Sequence, residues 1–139
     1  MEKKMRNGEA HNEAEALHRL GECYYWGWGV DHDWEKAFAY YRSAAEAGHM
    51  DSRAMLGFCF LIGVGVDPDP REAVRWLRRA AEEGHAEALF YLGDCYRHGV
   101  GVPVSVANAM ECYWRAGQQG FCSAKAALAE LLQKERGVG

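Results

Sequence analysis

The residues of this chain that could do chemistry are five cysteines, six histidines and four serines among 139 residues. Cys23, Cys59 and Cys95 stand 36 residues apart. Secreted disulfide scaffolds spread their cysteines through loops, whereas these three fall inside helical segments. They read as reduced, buried thiols packing as small apolar groups. Cys112 and Cys122 lie outside the series, and their redox state stays open. The histidines form no HExxH, no CxxC occurs, and His49 and His85 share one repeat position, so neither metal nor cofactor is expected. A serine acyl-enzyme of the S-x-x-K kind needs lysine one helical turn after the nucleophile. Ser43, Ser52, Ser105 and Ser123 all lack it, and neither G-x-S-x-G nor a Walker phosphate loop is present. These residues do not read as an enzyme.

The elements that would carry these residues repeat. LGECYYWGWGV at Leu20–Val30 returns as LGFCFLIGVGV at Leu56–Val66 and as LGDCYRHGVGV at Leu92–Val102, with no insertion or deletion. Self-similarity at this period marks an array of helix pairs, in which each pair buries its apolar face against its neighbours. The glycine-rich ends of the three copies are helix-to-helix turns, so they do not fit a dinucleotide fingerprint.

The net charge of −4 offers no general attraction to nucleic acid or to anionic lipid. Arg71, Arg75, Arg78 and Arg79 cluster on one predicted helix, where Glu72 and Glu82 pair with them as a solvated face. No apolar run nears the roughly 20 residues of a membrane helix, and no signal peptide is apparent. The expected setting is cytoplasmic, with neither nucleic acid nor membrane as partner.

Taken in order, residues 1–12 are expected to be a flexible N-terminus and 13–136 a single domain. Its repeats run over 14–49, 50–85 and 86–121, with a capping helix over 122–136. The first helix is expected over 13–26, burying Ala16, Leu20, Gly21, Tyr24 and Gly27 as one stripe. Gly27-Trp28-Gly29 ends it and Val30 plugs the turn. Asp33, Asp69 and Ser105 read as N-caps of the second helix of each pair. The second helix of the first pair spans 34–47 and packs through Ala37, Tyr40, Tyr41, Ala44 and Ala45. Leu128 keeps the repeated leucine position while Ala129 replaces the glycine, as suits a terminal cap.

These residues resemble the Sel-1-like repeat, a relative of the tetratricopeptide repeat. The first copy carries the pattern as Ala14, Leu20-Gly21, Tyr24, Gly27 to Val30, Asp33, Lys36-Ala37, Tyr40, Ala44-Ala45 and Gly48. The second has Leu56-Gly57, Gly63 to Val66, Asp69, Ala73, Trp76, Ala80-Ala81 and Gly84, with Phe60 in place of the tyrosine. The third has Ala86, Leu92-Gly93, Tyr96, Gly99 to Val102, Ala109, Ala116 and Gly120, with Ser105 for the aspartate and Cys112 for the aromatic. The resemblance implies an all-α fold, a right-handed α-solenoid of antiparallel helix pairs. It also implies a scaffold or adaptor role in protein–protein interaction.

The first helices of the pairs are expected to line a concave groove that takes a peptide or partner helix. The groove-facing residues are Arg19, Glu22, Tyr25 and Trp26 on the first, Met55, Phe58, Leu61 and Ile62 on the second, and Tyr91, Asp94, Arg97 and His98 on the third. Met55, Phe58 and Leu61 make an apolar strip between charged neighbours, the pattern of many peptide sites. In a tighter superhelix the strip would be core. Trp28, where other copies have Val64 and Val100, is either a loop anchor or folded back over the first helix. Trp76 and Trp114 are expected in the core or between repeats. Two alternatives stand: a self-assembling repeat module that forms homo-oligomers, and a β-lactamase-like or other small-ligand activity using His18, His98 or the cysteines.

Overall fold

The computed structural model describes residues 7–137. Among them, seven helices and no strands occur: α1 (Asn7–Trp26), α2 (Trp34–Glu46), α3 (Met50–Ile62), α4 (Pro70–Glu82), α5 (Ala86–His98), α6 (Val106–Gln118) and α7 (Cys122–Glu135). The chain is an all-α solenoid of helical repeats. Contacts divide it into two compact units, residues 1–68 and 69–139, where a single domain over 13–136 is expected from sequence. Helix α1 begins at Asn7, so part of the segment expected to be flexible is helical, and residues 1–6 lie outside the described residues.

The ends of the helices follow from local chemistry. Asp33, Asp69 and Ser105 take extended backbone and accept the N–H groups of Lys36, Glu72 and Asn108, as N-caps do. The sequence did not point to a second set of caps. His49 and His85 accept the N–H groups of Ser52 and Ala88 through Nδ1, starting α3 and α5. Gly63 and Gly99 close those helices in the left-handed conformation.

In the first unit, α2 packs on both α1 and α3. Ala37, Tyr41, Cys59 and Val64 form its buried cluster, with Tyr24, Tyr25, Phe38, Met55 and Phe58 packed around it. Burial pushes the Cys59 thiol up to about 12, so this sulfur is an inert apolar filler. The buried stripe of α1 keeps Gly21, and Tyr24 in part, from the expected set and otherwise differs. Ala14, His18 and Gly21 are buried, Ala16 is exposed, and Leu20 is 42% exposed although Leu56 and Leu92 stand at 0% and 5%. Helix α5, which carries Leu92, has α4 on one side and α6 on the other; among the described residues α1 has no helix in the place of α4. Val30 is likewise exposed rather than plugging its turn, and the buried loop valine is Val64.

In the second unit, α5 packs between α4 and α6, and α7 closes on α6. Phe90 meets the rings of Tyr113 and Phe121, and Arg97 pairs with Glu130 of α7 at 3.1 Å. Cys95 and Cys112 are buried, each thiol pushed up to about 11 by desolvation, and all five cysteines are free thiols. Trp114 is 55% exposed, against the expectation of a packing role. It stands in the repeat register of Arg42 and Arg78, both solvent-facing, whereas Trp76, half-buried under Arg79, shares the register of Tyr40.

Close helix contact rests on glycine facing tyrosine. A Cβ at Gly93 would stand 2.8 Å from the Tyr113 ring, and one at Gly21 would stand 2.7 Å from the Tyr41 ring. Both rings are buried and cannot swing away. Overpacking costs of about 1–3 kcal/mol exceed the roughly 1 kcal/mol of helix propensity that alanine gains over glycine. Gly93→Ala should therefore lower unfolding free energy by about 1–2 kcal/mol in urea titration. Ala129→Gly, in the same register but exposed on α7, should also destabilise, by about 1 kcal/mol, because only propensity acts there.

Candidate functional site

The densest polar chemistry lies where α1 meets the start of α3. His18 Nε2 approaches Glu22 at 2.6 Å, and its Nδ1 approaches the Ser52 hydroxyl at 2.6 Å. The Nε2 facing a carboxylate must carry the proton, so Nδ1 accepts from the Ser52 hydroxyl. His49 stacks on His18 with centroids 4.3 Å apart and donates from Nε2 to Glu15 at 2.6 Å. The sequence hint was a break in register, because Ser52 occupies the place of the buried Ala88 and Ala124.

Serine, histidine and carboxylate in series have the connectivity of a nucleophilic triad. Access argues against that use, since Ser52 is 0% exposed and a substrate carbonyl cannot reach its hydroxyl. The cluster works as a polar joint that satisfies its own donors and acceptors inside the first unit.

Its titration follows from its surroundings. Burial, and then the neighbouring His49, hold the His18 pKa below the ordinary 6.5, against the pull of Glu22 and Asp51. The hydrogen bond from His49 holds Glu15 below the ordinary 4.5. Both folded-state values are depressed, so both contributions are complete above the unfolded values and are lost as pH falls. Stability should decline from near pH 6.5 downward and again from near pH 4.5. Urea midpoints at pH 7.5 and 5.5 should converge in His18→Gln, and an unchanged gap would remove His18 as the source.

The expected groove residues divide into engaged and exposed. Arg19 pairs with Glu15 at 3.1 Å, and Glu22 is taken up by His18. Asp94 accepts from the Tyr113 hydroxyl, and Arg97 pairs with Glu130. Tyr91 is half-buried beside Phe90. Met55 and Phe58 are half-buried against the core cluster of the first unit, and Leu61 is half-buried. Tyr25 packs on Tyr41 and on the edge of Trp26. Trp26 and Trp28 are 59% and 58% exposed and stack at 6.1 Å, so the loop tryptophan turns to the end of α1 while keeping an open face. Ile62 and His98 are exposed.

Other apolar residues, outside the expected groove, add open surface to each unit. Trp34 is 49% exposed, with His32 edge-on at 5.0 Å. On the second unit, Trp114, Leu128 and Leu132 line a hollow of about 380 Å³. Register carries the signal again: Trp34 stands where Pro70 and Val106 stand, and Leu132 where Tyr96 stands. Among the described residues no group of three or more histidine, cysteine or acidic side chains is arranged to hold a metal, and no helix is long and apolar enough to cross a membrane.

Comparison with known proteins gives this geometry a family. The Sel1 repeat model matches residues 14–49, 51–85 and 86–121. The solved Sel1 repeat protein from Oxalobacter formigenes is 30% identical, with a TM-score of 0.85 over 97% of this chain and 55% of that one. The protective antigen c5321 of uropathogenic Escherichia coli, described as displaying an SLR fold, is 26% identical with a TM-score of 0.82 over 91% of this chain and 27% of that one. The cysteine-rich protein B of Helicobacter pylori shares the fold, with a TM-score of 0.66 at 19% identity over 86% of this chain and 96% of that one. The chain thus spans about half the length of the first of these and about a quarter of the second. No curated protein matches it. Three consecutive matches, in the register of the helices described above, establish that the chain belongs to the Sel1 repeat family.

Proposed function

We propose that this chain is a non-catalytic scaffold that captures a partner protein through the exposed aromatic surface of its first unit. Sel1 repeats generally mediate protein–protein interactions. The observation that carries the reading is the stacked, open pair of Trp26 and Trp28. Large exposed aromatics are the usual anchors of interfaces, because each buries much apolar area at little cost in side-chain entropy. Tyr25, Met55, Phe58 and Leu61, all half-buried, would extend that surface as a groove floor for a peptide or helix. Tyr91, Asp94 and Arg97 carry less weight, since Asp94 and Arg97 already have internal partners. The free, buried thiols of Cys59, Cys95 and Cys112 support a reducing, cytoplasmic setting.

The strip suggests Phe58→Asp as a test, but Phe58 packs on the core cluster, so that variant would confound loss of binding with loss of fold. Trp26→Ala/Trp28→Ala avoids this. Loss of a tryptophan anchor costs about 2 kcal/mol or more, roughly thirtyfold in affinity. In affinity capture from source-cell extract, the double variant should lose the partner that wild type and Trp114→Ala both retain, with helicity unchanged by circular dichroism. Equal capture by all three would overturn the proposal.

A further inference from the structure

The loop after α3 folds onto the start of α2 and leaves a hollow of about 680 Å³. Gly65 makes this approach possible, since a Cβ there would stand 2.2 Å from the Trp34 carbonyl oxygen. The second unit repeats the construction. A Cβ at Gly101 would stand 2.4 Å from the Pro70 carbonyl oxygen, beside a hollow of about 530 Å³. The two hollows share a build and differ in lining. Trp34, Glu35 and Asp67 line the first where Pro70, Arg71 and Pro103 line the second. The fold thus forms this hollow without an indole or a carboxylate at these three positions, so packing does not explain their presence in the first.

The lining of the first hollow holds three carboxylates, with the His32 imidazole beside Trp34. Asp33 is committed to the Lys36 N–H, as Asp69 is to that of Glu72. Glu35 and Asp67 are exposed, and among the described residues neither makes an ion pair or side-chain hydrogen bond. Lys36 is exposed and lies over the Tyr24 ring at 5.4 Å, engaged elsewhere. The start of α2 contributes about half a positive charge, against the three carboxylates of Asp33, Glu35 and Asp67. A flat indole, half exposed, stands among them. An arginine answers both features, because its planar guanidinium stacks on an aromatic face while its N–H fork reaches carboxylates, which the point charge of lysine does less well.

We propose that this hollow docks an arginine side chain of a partner peptide. The inference rests on the interaction role above only in taking the partner to be a peptide, and it uses residues other than Trp26 and Trp28.

The test is two-dimensional NMR of the ¹⁵N-labelled chain, titrated with an acetylated, amidated Gly-Ser peptide carrying two arginines. The control peptide carries citrulline, which keeps the shape and removes the charge. Saturable shifts are expected at the Trp34 indole N–H and at the amides of Gly65 to Asp67, with none at the amides of Gly101 and Val102. Citrulline should abolish them, and Glu35→Gln/Asp67→Asn, a surface change checked by circular dichroism, should weaken binding by about tenfold or more. Absence of saturable shifts, equal shifts at both hollows, or equal response to citrulline would overturn the proposal. Spermidine binding as tightly as the peptide would replace the peptide partner by a small polyamine. Failure here alongside capture that still depends on Trp26 and Trp28 would leave the interaction role intact.

Discussion

A tyrosine ring packed against a glycine holds two of the helix pairs, α1–α2 and α5–α6, at their working distance. Tyr41 covers Gly21 in the first unit and Tyr113 covers Gly93 in the second. With no Cβ between them, the paired helices approach closely enough for small residues to complete the seam. Ala37, Ala44 and Ala45 on α2, and Ala109 and Ala116 on α6, are all at 0–1% exposure. Other features follow from that spacing. Buried cysteines stay protonated, the loop glycines tuck onto the start of the second helix of the preceding pair, and the rest of each helix is free to vary. That freedom matters for function, because a scaffold can change its outer residues without moving its frame.

The frame was legible in the sequence because it is written several times. Three copies without insertion fix the period, the helix-capping residues at Asp33, Asp69 and Ser105, and the turns at Gly63 and Gly99. Periodicity misled where a residue's neighbours differ from those of its counterparts. Leu20 is open because no described helix stands beside α1 as α4 stands beside α5. The histidine caps escaped notice because histidine is a rare cap and its role depends on which nitrogen faces the helix. The joint of His18, Ser52, Glu22, His49 and Glu15 joins residues up to 37 apart in sequence, and only side-chain contacts between α1 and the start of α3 bring them together.

The candidate surface was half legible. Trp28 was visible as a departure from the repeat and Trp26 as an expected groove residue, and both are open. The charged residues expected to read a partner, Arg19, Glu22, Asp94 and Arg97, have internal partners; those of Arg19 and Glu22 lie one turn away on α1, whereas those of Asp94 and Arg97 lie on α6 and α7, which spacing along one helix cannot reveal. Trp34, Glu35 and Asp67 gain meaning only when two hollows of the same build are set side by side. Comparing copies at one register position separates what the repeat requires from what this chain adds. Leu56 and Gly65 are requirements; Trp28, Trp34 and Glu35 are additions.

Recognition by those additions is the central claim, and amide hydrogen exchange on the partner-bound protein tests it most directly. Slower exchange should appear over residues 26–35 and 61–67, the backbone that carries the exposed tryptophans and the acidic hollow, with α5 to α7 unchanged. Protection confined to α5, α6 and α7, or no protection anywhere on a demonstrably bound chain, would contradict it.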